Sequence, residues 1–336
     1  MKMNHTHGQM GCRRCVAILL FLAMRTLLGQ DISEFGVLKG VSYQQVTNGV
    51  PTPLRQQPYS FNFFADGANQ AILGGRVVLP LGASGITTTI PVTSTDGNGL
   101  ELRSSYSTAQ ALDSDYPPGN YSITLTTVND GELSFSFNLP LSLFPAPLQL
   151  LDFQPAQSIN SKADFTLVLI SNPGGTPDEY VQATINSLDG NRTLFETPQP
   201  GQPGALDGTT TSVLIPANTL GEGQSYQLQL LVARLDDLET TYGFGFSAYF
   251  SQTDIPIATS GSVPAPTLTI DRLTPDQWHL HANGVIGQNY LIESTTSLSP
   301  PVVWQPMVNF IGSKSGFDFT DGVIHRQNFY RARPVN

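Results

Sequence analysis

Two histidines, His279 and His281, have the types and spacing that best suit metal chemistry in this sequence. On a β-strand, residues two apart point to the same face, so the two imidazoles would lie side by side. A metal site needs a third or fourth ligand, for which the chain offers Asp276 and the more distant His325. The alternative is a polar strand face, and that is the interpretation we prefer.

Three pairs of aspartates could bind Ca²⁺, a hard cation that takes several carboxylate and carbonyl oxygens. None of the pairs has the spacing of an EF-hand, and ordinary solvated turns account for them as well. The pairs are Asp113 and Asp115, Asp236 and Asp237, and Asp318 and Asp321. We therefore assign no metal ligand and no cofactor, and Ca²⁺ stays an open alternative.

The only two tryptophans, Trp278 and Trp304, are the candidate ligand-binding residues, because flat aromatic rings can stack on sugar rings. Small β-sandwiches commonly bury a tryptophan in the core, and we expect this for Trp304. Trp278 follows Pro275 and Asp276 at the predicted entry to a strand, which makes it the better surface candidate.

Motifs that carry catalysis are missing from the sequence. It contains no nucleophile elbow, zinc-protease helix, phosphate loop or dinucleotide fingerprint, and nothing singles out a pair among the 26 acids for glycoside cleavage. We predict that the protein is not an enzyme, and we name no catalytic residue.

The first 29 residues have the order of a secretory signal peptide, with basic residues followed by an apolar run from Cys15 to Met24. This run is shorter than the roughly 20 residues of a transmembrane helix, and no later segment is long and apolar enough to span a bilayer. Both cysteines, Cys12 and Cys15, lie in this leader, so the mature chain would have neither disulfides nor a thiolate site. We predict a secreted, periplasmic or cell-surface protein.

Charge excludes one class of partner. Four of the 16 Lys and Arg residues belong to the leader, so twelve cations face 26 acids in the mature chain, a net charge of −14. An acidic surface repels phosphate backbones, so we expect no nucleic-acid partner. A protein or polysaccharide surface remains.

The remaining sequence predicts three tandem antiparallel β-sandwich modules. Charged residues are only 12% of the chain while Gly and Pro are abundant, and short alternating segments are separated by turn dipeptides such as Asp-Gly. Pro-Ala-Pro occurs at Pro145 and Pro264 and forms stiff connectors. We place the modules at 30–145, 146–263 and 264–336, after the leader at 1–29.

One pattern occurs in each module: a glycine, a short polar stretch and a tyrosine that opens an alternating strand. The tyrosines are Tyr121, Tyr226 and Tyr290. A tyrosine at such a corner buries its ring and ties down a neighbouring loop with its hydroxyl. We predict a structural role for all three. The segment 107–119, before the first of these strands, is expected to form a short helix or a long loop.

Several stretches resemble exported multi-domain β-sandwich proteins of verrucomicrobial bacteria, which are fibronectin type III-like or immunoglobulin-like in character. They are "FGVLKGVSYQQ" and "YPPGNYSITLTT" in the first module, "DGTTTSVLIPANTLGEGQSYQLQL" in the second, and "YLIESTTSLSPPVVWQPM", "FDFTD" and "NFYRARPV" in the third. The resemblance implies a fold and an exported location but no catalytic residues. We expect a non-catalytic structural, adhesion or binding protein; the alternative is a carbohydrate-binding accessory module of an extracellular hydrolase system.

Overall fold

A computed structural model describes residues 31–335 apart from 69, 82–87, 93–98, 141–143, 171–174, 189, 200–201, 263, 275–276, 287, 314 and 323–326. The signal peptide predicted at 1–29, with both cysteines, lies outside the described residues. The strands are β1 (Ile32–Gln44), β2 (Thr52–Pro53), β3 (Tyr59–Gly67), β4 (Ile72–Val78), β5 (Thr89–Val92), β6 (Gly99–Tyr106), β7 (Gly119–Thr127), β8 (Glu132–Leu139), β9 (Gln149–Leu150), β10 (Phe165–Ile170), β11 (Glu179–Ser187), β12 (Thr193–Glu196), β13 (Leu206–Asp207), β14 (Ser212–Ile215), β15 (Ser225–Glu239), β16 (Phe244–Ala258), β17 (Thr267–Thr274), β18 (Gln277–Asn283), β19 (Asn289–Thr295), β20 (Gln305–Ile311), β21 (Phe317–Asp321) and β22 (Phe329–Pro334).

Strands dominate the described residues, so the all-β prediction is confirmed. Within 107–119 one helix, α1 (Ala109–Asp115), is capped by the side chain of Thr108, and a 3-10 turn covers Pro155–Gln157. One of the Asp-Gly turns, at residues 130–131, connects β7 to β8, and these two strands pair with each other. Among the described residues, no helix is both long and apolar enough to cross a membrane.

The first two predicted modules share one nine-stranded sheet. Its main path runs β12-β11-β15-β16-β1-β3-β6, with the short β13 and β2 attached to β11 and β1. The join is a parallel pairing of β1 with β16 over eleven residue pairs, from Glu34 with Phe244 to Gln44 with Asp254. We expected separate packets joined by proline hinges, but here strands from 30–145 and 146–263 are bonded edge to edge. The alternating pattern of each strand does not encode which strand lies beside it.

One face of this sheet is covered by two smaller sheets. The sheet β5-β4-β7-β8 packs on the β1, β3 and β6 end, and the sheet β14-β10-β9 packs on the β11 and β15 end. Each pairing encloses its own buried aliphatic and aromatic core, as a β-sandwich does. Tyr249 of β16 belongs to the core at the β1 end, so the two cores meet at the shared strands.

The connector between the first two modules is fastened along β16. Hydroxyls at alternate positions of that strand, Ser247, Tyr249, Ser251 and Thr253, donate hydrogen bonds to the carbonyls of Asn138, Pro140, Pro145 and Leu148 respectively. Residues two apart on a strand share a face, which explains the spacing. Proline keeps its carbonyl although it lacks a donor, so the connector is bound as an extra layer rather than left as a hinge.

The three corner tyrosines have the structural role that their pattern predicted. Tyr121, Tyr226 and Tyr290 are only 0–3% exposed. The hydroxyl of Tyr121 donates to the Pro117 carbonyl at 2.7 Å, whereas the other two accept backbone N–H groups of preceding loops at 2.8 Å. Each bond closes the loop before its strand.

The third module is a small sandwich of two three-stranded sheets, β17-β18-β21 and β20-β19-β22. Its core contains Leu280 and Ala282 from one sheet and Tyr290, Ile292 and Phe310 from the other. The opposite face of the sheet β17-β18-β21 carries His279, His281 and Asp318.

Candidate functional site

The histidine pair lies on the polar face of β18, as the spacing predicts, and a neighbouring strand supplies its partner. His281 is directly across from Asp318 of β21. Oδ1 of Asp318 lies 2.8 Å from Nδ1 of His281 and 3.0 Å from Nε2 of His279. The hydrogen bond from His281 is the main cause of a pKa of Asp318 below its usual value. One carboxylate therefore links both imidazoles.

No group of three or more metal-ligating side chains that could hold an ion occurs within the described ranges. Asp276, proposed as a further ligand, and His325 lie outside the described residues. Asp318, which the sequence analysis placed in a candidate Ca²⁺ pair, is the residue that contacts both histidines. The register between β18 and β21 that brings it to the histidines could not be seen in the linear pattern.

The aspartate pairs have protein partners. Asp113 accepts a hydrogen bond from the ammonium of Lys39 at 2.7 Å, and Asp115 accepts one from Tyr106 at 2.8 Å. Asp321 accepts one from Tyr330, also at 2.8 Å. These hydrogen bonds give the three carboxylates a structural role. Ca²⁺ binding stays a prediction.

The remaining pair, Asp236 and Asp237, divides between two environments. Asp237 accepts a hydrogen bond from the backbone N–H of Asn138 at 2.8 Å. Oδ1 of Asp236 lies 3.8 Å from Nε of Arg234. Burial raises the pKa of Asp236 above its ordinary value. The two carboxylates therefore make different protein contacts.

Trp304 is half-buried and lies outside the core of the third module, which differs from the expected placement. The guanidinium carbon of Arg331 lies 4.3 Å from the centroid of its ring, a cation–π contact. The same guanidinium donates to the buried carboxylate of Glu293 at 2.7 Å, and Arg333 donates to it at 3.1 Å. These hydrogen bonds lower the pKa of Glu293, against its desolvation by burial, so the carboxylate is held in its charged form.

Trp278, the expected surface candidate, packs instead against the core of the third module. Its ring is half-buried, and the guanidinium carbon of Arg272 lies 5.6 Å from the ring centroid. It is two residues from the core residue Leu280 on β18 and so shares the inner side of the sheet. The two tryptophans thus have the reverse of the roles that their neighbours in sequence suggested.

An open cavity of about 540 Å³ is lined in part by Val303 and Gln305, the residues on either side of Trp304. Hydroxyl and amide side chains dominate its wall, with two apolar residues. The lining residues are Ser294, Thr295, Thr296, Ser297, Ser299, Pro301, Val303, Gln305 and Asn328. Groups of this kind both donate and accept hydrogen bonds without carrying charge. The cavity suits a neutral, hydroxyl-rich ligand better than an ion.

Comparisons with known proteins assign no family to this chain. No family model and no curated protein matches it. Among solved structures, the FN1–FN3 domains of chicken CNTN1 match at 9% identity and a TM-score of 0.21, over 91% of this chain and 94% of that one. A tetra-tandem repeat from the extending region of a large adhesion protein matches at 10% and 0.26, over 89% and 73%. An ICAM-5 D1–D4 ectodomain fragment matches at 13% and 0.22, over 89% and 77%. Likenesses of this size assign no function.

Proposed function

We propose that this chain is an exported, non-catalytic adhesion or binding protein that contacts its partner through the third module. The observation that supports this best is the edge strand β17. Among the strands that the structure describes, it pairs only with β18, and seven of its eight residues are exposed. An open strand edge offers backbone N–H and C=O groups to a strand from another chain.

Apolar side chains make this edge suitable for a protein partner. Ile270 is 41% and Leu273 is 56% exposed. A bulge between Arg272 and Thr274 interrupts the pairing with β18 at the far end of the strand. Bulges blunt strand edges, so the contact is expected along the first part of β17.

Pairing among the titratable groups of this module supports a non-catalytic role. Glu293 is held by two arginines, and Asp318 is bonded by His279 and His281. Catalytic groups need pKa values matched to their task and access to substrate. Here the charged groups satisfy one another. Export through residues 1–29 belongs to the same proposal, and N-terminal sequencing of the exported protein tests it.

A binding measurement with one edge variant tests the role of β17. The full chain is passed over immobilised extracellular proteins and polysaccharides, and Ile270→Lys is compared with Val168→Lys. Val168 is 38% exposed but lies on β10, which has a neighbour on each side. We expect Ile270→Lys to weaken binding by about tenfold, since a charge at a strand edge opposes pairing. Equal losses in both variants, or turnover of a glycoside or peptide substrate, would contradict the proposal.

The second candidate function is carbohydrate binding in an extracellular hydrolase system, which the cavity beside Trp304 favours. Arg331 lies over one face of that ring, and in this function a sugar would stack on the other face. A glycan array with and without Ca²⁺ tests this function. If it is correct, Trp304→Ala removes the signal and Ile270→Lys leaves it unchanged. An array without any bound glycan argues against this function.

A further inference from the structure

One lysine points into the core at the β1 end of the nine-stranded sheet. Residues two apart on a strand share a face, and Phe35 and Val37, which precede Lys39 on β1 at this spacing, are core residues. Lys39 itself is 0% exposed. Lysine is almost never fully buried unless it is paired, so the fold has to supply a partner for its ammonium.

Buried aromatic residues lie on both sides of Lys39 in the sheet. The register places Lys39 across from Phe61 of β3 and across from Tyr249 of β16. Both aromatic residues belong to the core and are 0–2% exposed. Tyr116 stacks on Phe61, with 3.9 Å between the two ring centroids. The lysine therefore extends from an apolar part of the sheet.

The partner of this lysine is Asp113 of helix α1. Nζ of Lys39 donates a hydrogen bond to Oδ1 of Asp113 at 2.7 Å, between residues 74 positions apart in the chain. The helix is fixed at several points: Thr108 caps its first turn, Leu112 is buried in the core, and Asp115 accepts a hydrogen bond from β6. The amine and the carboxyl are thus held in contact by two elements of the folded chain.

Burial makes the amine of Lys39 a better nucleophile. Desolvation lowers the pKa of Lys39, and the hydrogen bond and negative charge of Asp113 oppose this only in part. A desolvated lysine with a lowered pKa is one form in which proteins activate an amine for covalent chemistry. The side chain of Asp113 is 36% exposed, so a water molecule released at its carboxyl has a way out.

A second lysine ion pair in the described part of the chain has a different environment. Nζ of Lys162 lies 3.5 Å from Oε1 of Glu222, and the two side chains are 65% and 53% exposed. Exposed pairs of this kind are solvated and weakly held. The chain therefore contains both a buried pair and an exposed pair of the same chemical type.

We propose that Lys39 and Asp113 form a covalent cross-linking site, at which the two side chains condense to an isopeptide bond in the folded protein. One proton first passes from the ammonium to the carboxylate along their hydrogen bond. Nζ then attacks Cγ of Asp113, so that a C–N bond forms and the C–O bond to the hydroxyl breaks. The amine gives one proton to this hydroxyl, which leaves as water. The condensation consumes no oxidant, reductant or further reactant.

Placement of the two groups favours this condensation. Well-oriented groups within one molecule react with effective molarities of about 10⁵ M or more. The bond would join α1 to β1, a central strand of the nine-stranded sheet. A pulling force on the chain would then pass directly from residue 39 to residue 113 and bypass the strands between them. This inference does not depend on how the protein binds its partner.

Peptide mapping of the full chain tests the cross-link. The folded protein is incubated, unfolded in urea and digested with trypsin, which cuts after unmodified lysine and arginine. We expect the peptide that ends at Arg55 to stay uncut after Lys39 and to be joined to residues 104–162, with a mass one water below the sum of the two. Complete cleavage after Lys39, with no joined peptide, would overturn the proposal.

Three controls test whether the folded site is responsible. Lys39→Arg keeps a cation beside Asp113, but its guanidinium is not expected to form the amide, so the two peptides should separate. A sample kept in urea from extraction onwards should also remain unlinked. Cleavage after Lys162 should be complete in the folded wild type, because its pair with Glu222 is exposed. A joined peptide in the variant or in the urea sample, or equal linkage at Lys162 and Lys39, would contradict the proposal.

Discussion

Replacing Glu34 by glutamine should stabilise the protein, and by an amount that grows with pH. The ordinary pKa of this carboxyl is 4.5, and burial raises it to about 9 in the folded chain. Folded protein therefore keeps the proton that unfolded protein releases. The stabilisation that this bound proton gives the folded state is complete below pH 4.5 and is lost as the pH rises towards 9. The free energy of unfolding falls by about 1.4 kcal/mol per pH unit in this range, so at pH 7 the loss relative to pH 4.5 reaches about 3 kcal/mol.

Urea unfolding of the wild type and Glu34→Gln at pH 5, 6, 7 and 8 measures this effect. The difference in unfolding free energy should rise from under about 1 kcal/mol at pH 5 to about 3 kcal/mol at pH 7. A buried amide adds an offset that does not vary with pH, so the slope isolates the carboxyl. Oε1 of Glu34 is buried without a hydrogen-bond partner among the described residues, and a difference that stays flat from pH 5 to 8 would contradict this burial as the cause of the raised pKa.

Three further substitutions test the packing by urea unfolding at pH 7. Gly40→Ala should cost about 1–3 kcal/mol, because the new methyl group displaces the ring of Phe250; a neutral result would mean that the ring does not lie on β1. Asp113→Ala leaves the fully buried ammonium of Lys39 without its 2.7 Å partner and should cost about 2 kcal/mol or more, and a loss under about 0.5 kcal/mol would place the ammonium in water. Tyr121→Phe removes one hydrogen bond to a loop carbonyl and should lower the free energy of unfolding by about 1 kcal/mol; an unchanged free energy of unfolding would contradict the structural role of this hydroxyl.

Local patterns predicted local structure well. Alternation and Asp-Gly turns located most strands, and the glycine-to-tyrosine pattern located the three corners. The longest strand of the first module, β1, was not predicted as a strand, because its sequence "ISEFGVLKGVSYQ" is buried on both faces along much of its length. Strands of this kind lack the strict alternation of half-exposed ones.

Long-range pairing could not be predicted. Register between strands brought Asp318 to the histidines. The same limitation concealed the shared sheet, because β1 and β16 are separated by two hundred residues of chain. One signal was present: the alternating hydroxyls of Ser247, Tyr249, Ser251 and Thr253, which bind the connector that the prolines had suggested was a hinge.

The parallel join of β1 to β16 makes residues 31–262 one structural body, and amide hydrogen exchange of the full chain tests this most directly. Peptides from Ile32–Gln44 and Phe244–Ala258 should have the same opening free energy and lose protection together as urea is added. Separate transitions, in which peptides of 31–145 exchange fully while those of 146–262 stay protected, would contradict the shared sheet.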